Sequence, residues 1–518
     1  MPTFYYGKDH LTASAALDIC QGRRKAALSQ DQLDKLKASA AIVRGFAQGS
    51  EAVYGINTGF GPLCSTKISP DETAALQHNL LMSHSVGVGD PIPASTAKLM
   101  LILKVHALAK GYSGISLPTL ERILWHIEQD IIPVVPKQGS VGASGDLAPL
   151  SHLFLPLIGM GQVYYRGKAT PTPEMLRAEG CAPLQLQPKE GLALINGTQF
   201  ITAFGVEVVS RLQACLSQAD LIGGMMIEGL LGSVAPFHPA LHRIRPYAGT
   251  QHVAARIRAL LSGSEILASH TYCDRVQDPY SLRCMPQVHG ASRNAWLHLK
   301  EMLETELNAV TDNPIIVSEQ LSISGGNFHG QPMALPLDYA CLAASEVGNV
   351  SDRRCYLSLT GIDGAVPKLL MKDTGTHSGF MILQYTAAAL ASENKGLCFP
   401  ASADSISTSL GQEDHVSMGS IAGRKALQVT ENLERILGIE LVCAAQAFDF
   451  RRPLKSSPLM EKIHARVREE IAFADKDRVF STDLDKGAEL IRARALLDVV
   501  NDSGQDVTTA FEATFETY

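Results

Sequence analysis

The chain has 518 residues, 46% of them hydrophobic and 19% charged, with a formal net charge of -7. That length and apolar fraction support a large buried core, and length alone would suggest about three domains. The acidic balance and the lack of a basic stripe exclude the electrostatic footprint of a nucleic-acid-binding protein and fit an enzyme acting on a small molecule.

The chain opens Met1-Pro2-Thr3-Phe4-Tyr5-Tyr6, without the charged leader and apolar run of a signal peptide. Through the first two hundred residues, clusters of Gly, Pro, Asn and Ser separate short helices, predicted at Ser95–Lys110 and Leu120–Gln129. Loops of this kind are where sites are usually carried. The apolar runs at 99–109, 153–161 and 221–237 are short or are interrupted by Lys104, His106 and Glu228. None is read as one of the roughly 20-residue apolar stretches that cross a bilayer, so no membrane partner is expected.

Farther along, apolar residues at three- and four-residue spacing predict long helices over Trp296–Asn308, Pro336–Leu357, Gly379–Asn394, Gly423–Ala447, Leu459–Phe473 and Lys486–Asn501. The expected fold is mainly α: a long helical bundle over 201–518, preceded by a loop-rich N-terminal active-site lobe over 1–200. With no Pro/Gly/Ser-rich linker and no solenoid-period repeat, the two are expected to form one continuous fold. The ten cysteines contain no C-x-x-C pair and the sixteen histidines no H-E-x-x-H. Reduced thiols, a cytoplasmic location and no metal site are therefore expected.

The most unusual segment runs Gly139-Ser140-Val141-Gly142-Ala143-Ser144-Gly145-Asp146-Leu147 into an apolar stretch. Local signals favour a turn leading into a helix N-cap, with Ser144 or Asp146 accepting backbone N–H bonds. A chemical reading also exists. A tight loop can press the Gly145 amide nitrogen onto the Ala143 carbonyl carbon, because glycine has no Cβ to block the approach. Loss of water closes a five-membered ring, and loss of the Ser144 hydroxyl leaves an exocyclic methylidene, an electrophile that no standard side chain provides.

Here the sequence resembles the aromatic amino acid ammonia-lyases, the family holding histidine, phenylalanine and tyrosine ammonia-lyases and related aminomutases. Its signature reads Ala143-Ser144-Gly145-Asp146-Leu147. Further blocks match in order over nearly the whole chain: Tyr54-Gly55-Ile56-Asn57-Thr58-Gly59-Phe60-Gly61, Leu194-Ile195-Asn196-Gly197-Thr198, Gln277-Asp278-Pro279-Tyr280-Ser281-Leu282-Arg283, Gly325-Gly326-Asn327-Phe328-His329 and Gln412-Glu413-Asp414-His415. The resemblance implies a methylidene-imidazolone (MIO) group formed autocatalytically from Ala143, Ser144 and Gly145, with no external cofactor. It also implies a mostly helical fold, an amino acid substrate, and a homotetramer whose active sites draw on three subunits.

On this resemblance Tyr54 is the expected general base, since a positioned phenol can take a proton when its ionised form is stabilised. A packed turn aromatic is the plainer reading. Arg283 is expected to grip the substrate carboxylate through paired N–H bonds, against the plainer reading of a surface ion pair. Asn196, Gln277 and Tyr280 offer neutral hydrogen-bonding groups for the MIO oxygen, the carboxylate or the amine. Phe328 is expected to wall the ring pocket, although a lone Phe is more often core.

Two positions bear on the substrate. Ser83-His84 resembles the selectivity pair of the histidine enzymes, and Glu413 stands where they carry a glutamate and the phenylalanine and tyrosine enzymes generally carry an amide. A carboxylate bonds an imidazole N–H but gains little beside a phenyl ring. Helix capping or an interhelical pair is the plainer reading of Glu413 and His415. The expected reaction is elimination of ammonia from L-histidine to give trans-urocanate. Pro62 and Gly330-Gln331 depart from the histidine pattern and keep a tyrosine or phenylalanine ammonia-lyase, or an aminomutase, as the alternative. A non-catalytic helical assembly protein is the alternative of another class.

Overall fold

The computed structural model describes residues 1–59, 61, 68–271 and 275–518, and of Pro70 and Asp71 the backbone alone. Phe60 and Pro62, both named from the sequence, and two of the ten cysteines, Cys64 and Cys273, lie outside the described residues. The chain divides into two compact units. The first comprises Met1–Glu207, Glu301–Asp338 and Pro400–Arg424; the second comprises Val208–Lys300, Tyr339–Phe399 and Lys425–Tyr518. Segments 301–338 and 400–424, which the sequence reading places with the bundle, thus belong to the unit that carries the tripeptide.

In the first unit, helix Ala94–Leu108 has no polar face: from Leu99 to Leu108 every residue is buried, Lys104 and His106 included. Helix Leu117–Glu128 starts behind Ser116 with a proline in its first turn, where the missing N–H has no intrahelical partner to lose. Small sheets brace the loops. Val88–Pro91 pairs antiparallel with Pro136–Gln138, Val88 facing Gln138. This pairing joins the residues following helix Pro70–His84 to those preceding the tripeptide, so His84 and Ser144 leave one sheet in the same region. The unit also holds a parallel pair, Phe4–Tyr5 with Ala26–Ala27, a three-stranded antiparallel sheet of Ile132–Pro133, Gln162–Tyr165 and Lys168–Pro171, and a hairpin of Ile315–Ser318 with Leu321–Ile323.

Among the described residues the longest helices are Gln30–Gln48, Gln199–Gly229, Met285–Leu307, Gln331–Leu359, Met381–Leu397 and Gly419–Asp449. The mainly α fold expected from the sequence is the fold observed, with particular differences. Helix Met285–Leu307 begins well before Trp296, because its first turns bury His289, Ser292 and Arg293 through polar contacts and so break the apolar periodicity. Helix Gln331–Leu359 starts before Pro336 and carries that proline inside. The single helix predicted over Lys486–Asn501 is two, Ser481–Arg492 and Ala495–Ser503, separated at Arg494, whose φ is +60°. Helix Gln199–Gly229 is 31 residues long and, by length and composition, apolar enough to cross a membrane, contrary to the sequence reading. Most of it is buried within the protein, which is the environment of a core helix.

A buried charge network organises the second unit. Asp220 accepts from Arg293 at 2.6 Å and contacts His289 Nδ1 at 2.7 Å. Glu516, near the C-terminus, contacts Arg293 at 2.5 Å, Arg256 at 2.9 Å and His252 at 2.8 Å. Burial alone would raise the Glu516 carboxyl, but the two guanidiniums outweigh it and hold the group well below the usual carboxylate range. Glu516→Ala would leave Arg293 buried without that partner. A loss of about 3–5 kcal/mol is expected, read as a lower midpoint of urea unfolding; an unchanged midpoint would show the network to be energetically neutral.

Candidate active site

The tripeptide lies in a loop held on two sides. Ala143 packs with Val416 and Met418, while Met418 N–H donates to Val141 O at 3.0 Å and Ser420 Oγ to Ser140 O at 2.7 Å. On the other side Gly145 forms a parallel bridge with Gly197, and Asp146 N–H donates to Gly197 O at 2.8 Å. Gly145 has φ +74°, and a Cβ there would stand 2.2 Å from the Gly197 carbonyl oxygen. Only glycine permits this close approach of the two backbones.

The two capping roles offered by the local sequence are not those observed. Asp146 precedes helix Leu147–Phe154 but makes no side-chain cap; its Oδ2 accepts from Ile201 N–H at 3.0 Å. It is fully buried, which pushes its carboxyl up to about 7 although those hydrogen bonds oppose the shift. Ser144 Oγ donates instead to Glu413 Oε1 at 2.9 Å. Glu413 Oε2 accepts from Thr408 Oγ1 at 2.9 Å and Ser409 Oγ at 2.7 Å, so its carboxylate is oriented by two hydroxyls and caps no helix. His415 faces His329 with 3.3 Å between ring nitrogens.

A cavity of about 460 Å³ opens over the loop, lined by Tyr54, His84, Ser144, Asn196 and Glu413 among others. Tyr54 stands on a turn pinned by buried Asn57, whose Oδ1 accepts from Val53 N–H at 2.7 Å and whose Nδ2 donates to Glu51 O at 2.9 Å. Gly61 N–H donates to the Tyr54 hydroxyl at 3.4 Å. His84 ends helix Pro70–His84, with Nδ1 at 3.0 Å from Ser83 Oγ. Burial lowers its pKa, against the opposing pull of the Leu80 carbonyl and the Glu413 charge. The rest of the wall is apolar, with Ile68, Leu76, Leu80, Leu147, Leu192 and Ile195. A few convergent polar groups in an apolar cleft are the usual make-up of a small-molecule site.

These residues fit a group built from the tripeptide. Asn196 is buried at the cavity wall, and its Oδ1 has no hydrogen-bond partner among the described residues, a costly state unless a ligand or group supplies a donor. The cavity thus gathers Tyr54, His84, Ser144, Asn196 and Glu413 from five separate sequence blocks. It does not gather all the expected residues. Phe328 is half-buried in the same unit but does not line the cavity. Gln277, Tyr280 and Arg283 belong to the second unit, where Gln277 and Tyr280 are exposed. Among the described residues Arg283 has no carboxylate partner; its Nε donates to Asp278 O at 2.8 Å and its guanidinium lies 4.5 Å from the Tyr280 ring centre.

Sequence reasoning passed over Thr408 and Ser409, which aim Glu413, and Lys104, whose Nζ donates to the Asn196 backbone carbonyl at 2.5 Å. A lysine inside an otherwise apolar helical run was the available signal for the last of these.

Residues 11–469 match the family model for aromatic amino acid lyases. A histidine ammonia-lyase of Anaeromyxobacter dehalogenans is 46% identical over 96% of this chain and 100% of its own. The solved histidine ammonia-lyase of Trypanosoma cruzi superposes with a TM-score of 0.90 at 41% identity, over 99% of this chain and 97% of that one. The tyrosine aminomutase of Streptomyces globisporus also superposes at 0.90, with 33% identity over 96% and 98% of the two chains. With a family match over residues 11–469 and a relative 46% identical over nearly the whole chain, this chain belongs to the aromatic amino acid lyase family.

Proposed function

We propose that this protein eliminates ammonia from L-histidine to give trans-urocanate, using an MIO electrophile made from Ala143, Ser144 and Gly145. The observation that carries the reading is Glu413: its oriented carboxylate shares a cavity with His84 and stands 2.9 Å from Ser144 Oγ. Once the Ser144 hydroxyl has left as water, Oε1 can accept an imidazole N–H, whereas a phenyl ring would offer that oxygen no donor while Oε2 stays with Thr408 and Ser409. The full-length similarity to proteins named histidine ammonia-lyase supports the same substrate.

When formed, the group supplies an electrophile for the substrate amine, a poor leaving group on its own. The remaining work falls to the chain's side chains. Tyr54 removes the weakly acidic β-proton with its phenolate oxygen, helped by the Gly61 N–H at that oxygen. Asn196 offers its side-chain amide to the reacting region from a buried position where competing water is excluded. His84 and Glu413 hold the imidazole, and the apolar wall keeps the site dry.

Arg283, Gln277 and Tyr280 complete the reading as the carboxylate clamp, contributed by neighbouring copies in a homotetramer. The second unit's exposed apolar residues, Tyr339, Leu342 and Tyr356 on one helix with Ile382 and Tyr385 on another, support such an assembly. The enzyme is read as cytoplasmic, a compartment in which its ten scattered cysteines stay reduced by default.

The test is turnover of L-histidine, L-tyrosine and L-phenylalanine, followed by the ultraviolet band of each acrylate and by chromatography for β-amino acids. Histidine turnover is expected; activity confined to the other two, or a β-amino acid product, overturns the substrate reading. An intact mass without loss of two waters would count for a non-catalytic protein. Glu413→Gln is expected to lower kcat/KM for histidine by about 10- to 150-fold, the equivalent of losing one charge-assisted hydrogen bond. An undiminished kcat/KM would remove Glu413 from substrate recognition.

A further inference from the structure

Lys104 is 2% exposed, in the middle of helix Ala94–Leu108. An ammonium placed so deep is expensive unless its donors are satisfied, and a leucine or methionine would fill the volume without that cost. Lys104 Nζ donates to the Asn196 backbone carbonyl at 2.5 Å and to Gln199 Oε1 at 3.4 Å. The Gln199 amide is itself oriented, its Nε2 donating to Thr311 Oγ1 at 2.9 Å. The nearby carboxylate of Asp312 is paired to another lysine, Lys189, at 2.6 Å. Lys104 therefore spends its donors on oxygens of the segment that begins with Asn196.

That segment is the surface against which the tripeptide packs. Gly197, next to Asn196, pairs with Gly145 and accepts the Asp146 N–H at 2.8 Å. Its position is fixed from the far side too, because a Cβ on Gly197 would stand 2.6 Å from Gln199 Oε1 and 2.8 Å from Thr311 Oγ1. Lys104, Asn196–Gly197 and Gly145–Asp146 thus form successive layers.

We propose that Lys104 is a positioning residue for formation of the electrophile: by anchoring the Asn196 carbonyl, it holds Gly197 firm so that Gly145 is kept at closing distance from Ala143. The inference rests on the MIO reading above. In the closure it assists, the Gly145 nitrogen bonds to the Ala143 carbonyl carbon. The carbonyl oxygen leaves as water with the amide hydrogens of Gly145 and Ser144. Ser144 then loses its hydroxyl with its Cα hydrogen as a second water, leaving the Cα–Cβ double bond. Lys104 exchanges no atoms in either step.

The experiment compares wild type, Lys104→Met and Lys104→Gln by intact mass, Tm and steady-state kinetics. Glutamine keeps a neutral donor for the Asn196 carbonyl; methionine keeps only the volume. In Lys104→Met the fraction of chains that have lost two waters is expected to fall at least tenfold, with kcat falling in proportion and KM unchanged. Lys104→Gln is expected to retain more of the dehydrated species than Lys104→Met at a similar Tm. Full dehydration in Lys104→Met, or dehydration that follows Tm and ignores donor capacity, overturns the role of Lys104 alone. A wild-type mass lacking the loss of two waters overturns the MIO reading and this inference with it.

Discussion

Ser144→Ala is expected to lower turnover by roughly 10⁴-fold or more, the scale on which loss of a covalent catalytic group usually registers. The Ser144 hydroxyl is the only part of the tripeptide whose departure creates a carbon–carbon double bond, and alanine has no oxygen to lose. The intact mass of the variant is therefore expected to show the loss of at most one water. The fold should survive, because the side chain is half-buried and, among the described residues, its hydrogen bond is the one to Glu413 at 2.9 Å. Loss of one such bond changes stability by about 1 kcal/mol, which leaves the thermal midpoint nearly in place. Acrylate formation with the purified variant is the measurement. Turnover within tenfold of wild type would remove Ser144 from the chemistry.

Much of this site is legible in the sequence because its parts are short, local and chemically unusual. The tripeptide and its glycine are adjacent in the chain, so the loop that carries them is written in one segment. The partners that press on it are not. Gly197 is about fifty residues away in sequence, and Asp146 gives a conventional N-cap signal while actually bonding Ile201 N–H. Glu413 reads as a cap or an ion pair until Thr408 and Ser409 are seen to turn its carboxylate toward Ser144.

The helices show the same division. Periodicity finds those with one wet face. It does not mark helix Gln199–Gly229, which is buried on nearly all sides and so has no polar stripe. It starts Met285–Leu307 too late, where His289 and Arg293 are buried by the Asp220 and Glu516 carboxylates and look exposed in sequence. Pro336 reads as a helix start and is an interior residue, whereas the break at Arg494 needs a left-handed residue that composition does not announce.

Tyr54→Phe separates the proton-transfer role from the electrophile. The substitution removes one oxygen from the cavity and leaves the ring, so packing on the Val53–Thr58 turn is kept. That turn is held by Asn57 and by Ile56, which is buried with Val43, Ala47 and Ile316, and none of these contacts uses the phenol. Intact mass is therefore expected to show the wild-type loss of two waters, because the residues that pack against Gly145 are untouched. Turnover is expected to fall by about 10²–10⁴-fold, the usual contribution of a positioned general base. If Tyr54 takes the β-proton, the fall lies in kcat, and a histidine deuterated at its β-carbon should show a larger isotope effect in the variant than in wild type. A fall in kcat with no change in isotope effect would move Tyr54 to a binding role. A fall accompanied by loss of the dehydrated mass would place it instead among the residues that shape the tripeptide loop.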